Sequence, residues 1–200
     1  MYISTLYILG FNTTLIDFFE ELSYKFMMIE KIVIIGGGQA SISCASQLRS
    51  LGFNGEICMV CEENYYPYQR PPLSKKFLTG HFHEERLLLK KIDYYKINNI
   101  QVLLSERATK IDRDSKKVHL QSGEKIDYTK LVIAIGSKAK KAPLSDRNNY
   151  SNAYYLRNLH DATKLKNQLH TGKNILIIGG GYLGLEVASV CSSFGMNTTV

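Results

Sequence analysis

The chain has 200 residues, enough for one large domain or parts of two, and its 44% apolar content is that of an ordinary globular protein. A net charge of +7 calls for an anionic partner such as a nucleotide or an acidic protein, but the lysines and arginines are scattered, so no nucleic-acid partner is expected. Cys44, Cys58, Cys61 and Cys191 are too few for a disulfide framework and point to a reducing, cytoplasmic setting; the five histidines show no ligand grouping, so no metal is expected.

Residues 1–28 are rich in Tyr, Phe, Leu and Ile, but Asn12, Thr13, Thr14, Asp17, Glu20 and Glu21 interrupt every apolar window, so no membrane span is expected. No early positive charge or small-residue cleavage site marks a signal peptide. Met27 and Met28 stand directly before the first strand, and residues 1–28 are therefore read as an extension outside the fold. Then comes KIVIIGGGQAS, residues 31–41. The unbroken β-branched run suits a parallel strand buried on both faces, and the following QASISCASQLRSLG places Ala40, Cys44, Ala45 and Leu48 on one face of a helix. Gly36 lets the chain reverse between them, and the bare backbone at Gly38 can approach a pyrophosphate at the positive end of the helix. Ser41 occupies the third glycine position of this pattern.

A second apolar run, residues 57–61, ends at Glu62, 26 residues after Gly36, where an acid can hydrogen-bond a ribose hydroxyl. Cys58 and Cys61 form a CxxC, but three residues apart on a strand they point to opposite faces, which argues against a redox pair or metal knuckle. In ENYYPYQRPPLSKKFLTG, Pro67, Pro71 and Pro72 forbid a regular strand, and Ser74 is expected to cap a short helix starting near Lys75. A proline-stiffened loop carrying Arg70 and Lys75 reads as a clamp for an anionic cofactor. Residues 87–104 read as a mixed helical stretch and the short strand QVLL. A meander of strands follows at 108–111, 117–120 and 131–135, the last, LVIAIG, rejoining the buried parallel sheet and ending at Gly136.

The polar KKAPLSDRNNYSN is the expected boundary, dividing the chain into 29–145 and 146–200. Beyond it a helix is expected over 162–170, and NILIIGGGYLGLE repeats the opening pattern with all three glycines, Gly179, Gly181 and Gly184. Two such units call for two dinucleotides, or for a flavin and a nicotinamide. Val200 falls in what should be the second strand of the second unit, which is read as incomplete.

The two glycine units, PYQRPPLSK, ERLLLK, the AIGS after the meander, YLRNLHDA and IIGGGYLGLE together resemble the FAD-dependent pyridine nucleotide-disulfide oxidoreductase superfamily. Within it they are most similar to the ferredoxin reductases that serve bacterial oxygenases, over about residues 29–200, the first half of a family member. The resemblance implies an α/β fold of two Rossmann-like dinucleotide-binding domains, the three-layer FAD/NAD(P)-binding fold, with an antiparallel β-meander. Residues 29–145 would be the FAD-binding domain and 146–200 the start of a truncated NAD(P)-binding domain. The implied activity passes a hydride from NADH or NADPH to FAD and electrons onward to a ferredoxin or rubredoxin. By motif, Gly36, Gly37, Gly38, Gln39 and Ala40 would hold the FAD pyrophosphate, Glu62 and Glu63 the adenosine ribose, and Arg70 and Lys75 the flavin half. Ala108 would meet the adenine by its backbone, with Gly136 and Arg157 at the FAD near the domain junction. Gly179, Gly180, Gly181, Tyr182, Leu183 and Gly184 would line the nicotinamide nucleotide. Lys75 and Glu186 would form a buried ion pair beside the reactive flavin nitrogen, a poor device for stability and a better one for tuning the flavin.

Two positions depart from the pattern: Ser41 replaces the usual glycine, where it could loosen helix-to-strand contact or FAD affinity, and Ile135 replaces the threonine of the usual ATG. No cysteine pair lies between Glu62 and Ser74, which argues against glutathione reductase or lipoamide dehydrogenase chemistry. Two alternatives stay open. One is an NADH oxidase or a nitrite reductase flavoprotein component; the other is a flavoprotein like apoptosis-inducing factor, which acts partly as a scaffold. The 200 residues alone are expected to be poorly stable and to have little reductase activity, and the choice between NADH and NADPH lies past Val200.

Overall fold

The computed structural model describes residues 30–140 and 152–200, so the reading of residues 1–28 as an extension, and most of the expected boundary stretch, lie outside the described residues. Four strands form a parallel sheet in the order β3-β2-β1-β7: β1 (Lys31–Ile35), β2 (Glu56–Val60), β3 (Ile100–Leu103) and β7 (Lys130–Ile133). Alternation along β1 and β2 divides their side chains between two cores. Ile32, Ile34, Ile57, Met59 and Cys61 pack with Ile42 and Ala45 of α1 (Gln39–Ser50) and Tyr95 of α3 (Ile92–Ile97). Val33, Ile35, Cys58 and Val60 face Val118 and Leu120 of an antiparallel meander, β4 (Ala108–Asp112), β5 (Lys117–Leu120) and β6 (Lys125–Asp127). Helices, parallel sheet and meander make three layers, which is why both strands read as continuous apolar runs.

The meander differs from its expected form in one respect. Its third strand is the short β6, while the run expected at 131–135 is β7, paired in parallel with β1. β7 rejoins the sheet as expected but is not buried on both faces, because β1 is its one partner among the described residues and Ile133 and Ile135 stay exposed.

No helix begins at Lys75. Pro71 and Pro72 open a 3-10 turn over Pro71–Ser74, with their fixed φ and missing donors at the positions where a donor is not needed, and the chain then runs on in turns. A one-turn helix, α2 (Glu84–Leu87), follows. Beyond the boundary, α4 spans Leu159–Lys166 rather than 162–170. Its start is fixed by a reciprocal capping box: the Asn158 side chain accepts from Asp161 N at 2.8 Å, and the Asp161 carboxylate accepts from Asn158 N at 3.3 Å.

The second unit comprises β8 (Asn174–Leu176), α5 (Tyr182–Ser193) and β9 (Asn197–Thr199), with β8 and β9 paired in parallel. The two units interlock. Leu78, just past the 3-10 turn, lies fully buried among Leu165, Leu169, Val187, Val190, Cys191 and Met196, while Tyr68, Leu73, Phe77 and Leu87 pack against Leu159 and Ala162 of α4.

Candidate functional site

The first glycine turn is held by packing on two sides and open on the third. Gly36 has φ +132°, and a Cβ there would sit 2.2 Å from the Ala134 carbonyl oxygen. Its N–H donates to Val60 O at 2.9 Å, tying the turn to β2. A Cβ on Gly37 would press on Cys61 at 3.0 Å, whereas one on Gly38 would meet nothing within 4 Å. Glycine at 38 is therefore no packing requirement; it leaves space beside the start of α1, which has no side-chain cap and no acid in its first turn. Free N–H groups, a positive helix end and a bare backbone make a cradle that fits a pyrophosphate, with Gln39 and Ala40 as the first helical residues above it. Ser41 lies under the turn, fully buried, with its hydroxyl unpartnered among the described residues.

Glu62 and Glu63 share the end of β2 but differ in what engages them. Glu62 is half exposed, with Arg107 Nη1 at 3.5 Å and Lys138 Nζ at 3.9 Å. Glu106 N donates to Cys61 O at 2.9 Å, which lays Ala108 and the start of β4 beside this acid. Glu63, also expected at the adenosine ribose, has both oxygens engaged within the chain. Arg70 Nη2 reaches Oε1 at 2.6 Å, and the Tyr68 hydroxyl donates to Oε2 at 2.6 Å. The Tyr68 hydroxyl in turn accepts from Leu159 N at 2.9 Å and from Arg70 Nη1 at 3.1 Å; burial and the Glu63 carboxylate push this phenol's pKa well up. Arg70 also donates to Arg157 O at 3.1 Å, and Arg157 Nε donates to Ser137 O at 2.8 Å with its guanidinium against Gly136. Arg70, Gly136 and Arg157 thus lie together.

Lys75 and Glu186 also meet, Nζ to Oε1 at 2.7 Å, but the pair is not buried: their side chains are 50% and 30% exposed. Glu186 sits in the first turns of α5 beside an open groove of about 810 Å³ whose walls include Lys76, Phe82, Arg86 and Tyr182, which leaves the pair open to solvent. Ser74 donates to the other oxygen of Glu186 at 2.5 Å. The hydrogen bonds from Lys75 and Ser74 hold this carboxyl below the usual carboxylate range. The contact between Ser74 and Glu186 spans 112 positions, and no local pattern in the sequence signals it.

In the second turn Gly179 has φ +123°, and Gly179, Gly180 and Gly181 are all open to added atoms. Gly184 is different: a Cβ there would fall 2.0 Å from Gly179 O. Tyr182, at 91% exposure, and the half-exposed Leu183 face outward at the start of α5, available to a ligand. The CxxC shows no sign of redox use. Cys58 and Cys61 lie in different cores, and burial pushes their thiols up to about 11 and about 12. Among the described residues no group of three or more His, Cys, Asp or Glu could hold a metal ion, and no helix is long and apolar enough to cross a membrane.

Comparison with known proteins places this geometry. The family model for pyridine nucleotide-disulphide oxidoreductases matches residues 30–200. The chain is 38% identical over 169 residues to the rubredoxin-NAD(+) reductase of Pseudomonas putida, covering 84% of this chain and 44% of that protein. It is 37% identical over 173 residues to the putidaredoxin reductase of the same species, covering 86% and 41%. Among solved structures, the covalent putidaredoxin reductase-putidaredoxin complex superposes with a TM-score of 0.81 at 37% identity, over 84% of this chain and 41% of that one. The chain spans less than half the length of these relatives.

Proposed function

The chain belongs to the pyridine nucleotide-disulphide oxidoreductase family, and from that premise we propose that the whole protein is a cytoplasmic FAD enzyme that moves electrons from NADH or NADPH to a ferredoxin or rubredoxin. Residues 29–145 form its FAD-binding domain and 146–200 begin its nicotinamide-binding domain. The observation that carries this reading is the Lys75–Glu186 contact, in which a cation from the first glycine unit meets an acid from the helix of the second. A charged pair at that junction stands where two dinucleotides would present their reactive ends to each other.

The open Gly38 and the uncapped start of α1 suit the FAD pyrophosphate, and Glu62 suits the adenosine ribose. Arg70 supports the flavin half through its fixed position between Glu63, Tyr68 and Arg157. Gly180, Gly181, Tyr182 and Leu183 offer the second dinucleotide an unobstructed backbone and an exposed ring. Bound FAD supplies the chemistry that accepts a two-electron hydride and releases electrons one at a time. Lys75 and Glu186 keep a fixed local charge at the junction, and the remaining residues bind and orient.

The test is direct. Full-length protein loaded with FAD should reduce added rubredoxin or ferredoxin with NADH, at a rate that depends on the acceptor. NADH-dependent oxygen consumption indifferent to either acceptor would overturn this reading in favour of an oxidase.

A further inference from the structure

Ser74 is only 2% exposed and ends the 3-10 turn, where it caps no helix. Its hydroxyl leaves its own segment and donates to Glu186 Oε2 at 2.5 Å; the nearest local acceptor, Pro71 O, is at 3.4 Å. Lys75, the next residue, takes Oε1 at 2.7 Å. Two consecutive side chains of one turn therefore bind the two oxygens of one carboxylate. Their contributions differ in kind. Lys75 is a half-exposed ammonium on a long flexible stem, and a solvent-exposed ion pair fixes orientation poorly. Serine has one short side-chain torsion, and here it sits on a turn whose first two φ angles are set by Pro71 and Pro72.

We propose that Ser74 is a positioning residue for the hydride-transfer site: its hydroxyl sets the plane of the Glu186 carboxylate, so that the charge of Lys75 is held at one place between the two glycine units. The inference rests on the proposed role of the Lys75–Glu186 pair and deepens it. A donor to the ionised form favours ionisation, so removing the Ser74 hydroxyl makes Glu186 easier to protonate. The other titratable groups facing Glu186 are Lys75, Lys76, His81 and Arg86 across the groove and Tyr182 on its own helix. The titration is read at the Glu186 carboxyl carbon itself.

The experiment compares wild type, S74A, E186Q and S74A/E186Q in the full-length enzyme. Three quantities are measured: the Glu186 carboxyl 13C shift against pH with and without FAD, the flavin midpoint potential, and the single-turnover rate of reduction by NADH. Alanine fills nearly the space of serine, so S74A should keep its FAD. Its Glu186 titration should move to higher pH, its midpoint potential should shift in the direction set by E186Q, and its reduction rate should fall about tenfold. The double variant should behave as E186Q alone. An unmoved Glu186 titration in S74A, or a rate loss of equal size in the E186Q background, would overturn the proposal while leaving the pair's role intact. An E186Q enzyme with unchanged potential and rate would instead overturn the role of the pair, and the inference with it.

Discussion

The two glycine turns have nearly the same sequence, IVIIGGGQAS and ILIIGGGYLG, and nearly the same first bend, with φ of +132° at Gly36 and +123° at Gly179. They part at the third position of the pattern. At Gly184 the helix comes so close that a Cβ would strike Gly179 O at 2.0 Å, whereas Ser41 fits entirely beneath the first turn, its hydroxyl without a partner. What the pattern enforces is a separation between helix and turn, and glycine is needed only where the backbone itself fills that space. The strands diverge as well. β1 lies between β2 and β7 with both faces covered, while β8 pairs with β9 alone among the described residues, leaving Leu176 67% and Ile178 77% exposed.

This contrast can be broken at five places, taken from the largest effect down. Gly36→Ala and Gly184→Ala each force a Cβ onto a carbonyl oxygen, and each should cost about 3 kcal/mol or more, measured by urea unfolding of the full-length protein. G36A should be the worse, because its φ also resists a side chain; equal stability of either variant to wild type would refute the packing account. Gly38→Ala meets nothing and lies in extended backbone, so stability should change by less than about 1 kcal/mol. FAD affinity should nevertheless fall about tenfold or more, read from flavin fluorescence on dilution, because the methyl group enters the space a phosphate would use.

Ser41→Ala removes a buried hydroxyl that bonds nothing, and should stabilise the protein by about 1 kcal/mol without loss of FAD. Alanine is thus expected to act with opposite sign at matching positions of the two turns, and a destabilised S41A would erase that contrast. The smallest effect concerns acid. Glu186 has its pKa lowered by folding, so the unfolded chain takes up its proton first. Its contribution to stability is complete above the ordinary carboxylate range and is lost as pH falls through the lower folded value. The stability difference between wild type and E186Q should therefore shrink only in that acid range.

The first unit was legible because everything it needs is local: a β-branched run, three glycines, and an apolar strand ending in an acid. The start of α4 is equally local: Asn158 followed three residues later by Asp161 is a capping box, and it sets the helix three residues before the expected 162. β6 is three residues long, too short to carry a periodic signal. The competition for Glu63 was hidden for another reason. Two adjacent acids look alike in sequence, and only the folded loop shows that Tyr68 and Arg70 engage one of them. Ser74 needed a contact across 112 residues, which no propensity or spacing foretells.

Leu78 carries a last consequence. It grows from the first unit yet is fully buried in the core of the second, like a dowel driven across a joint. Swinging the units apart would pull it into water at a cost of about 2 kcal/mol, before counting Tyr68, Leu73 and Phe77 along the same seam. The two glycine turns are thus tied to one another by packing as well as by the chain between them.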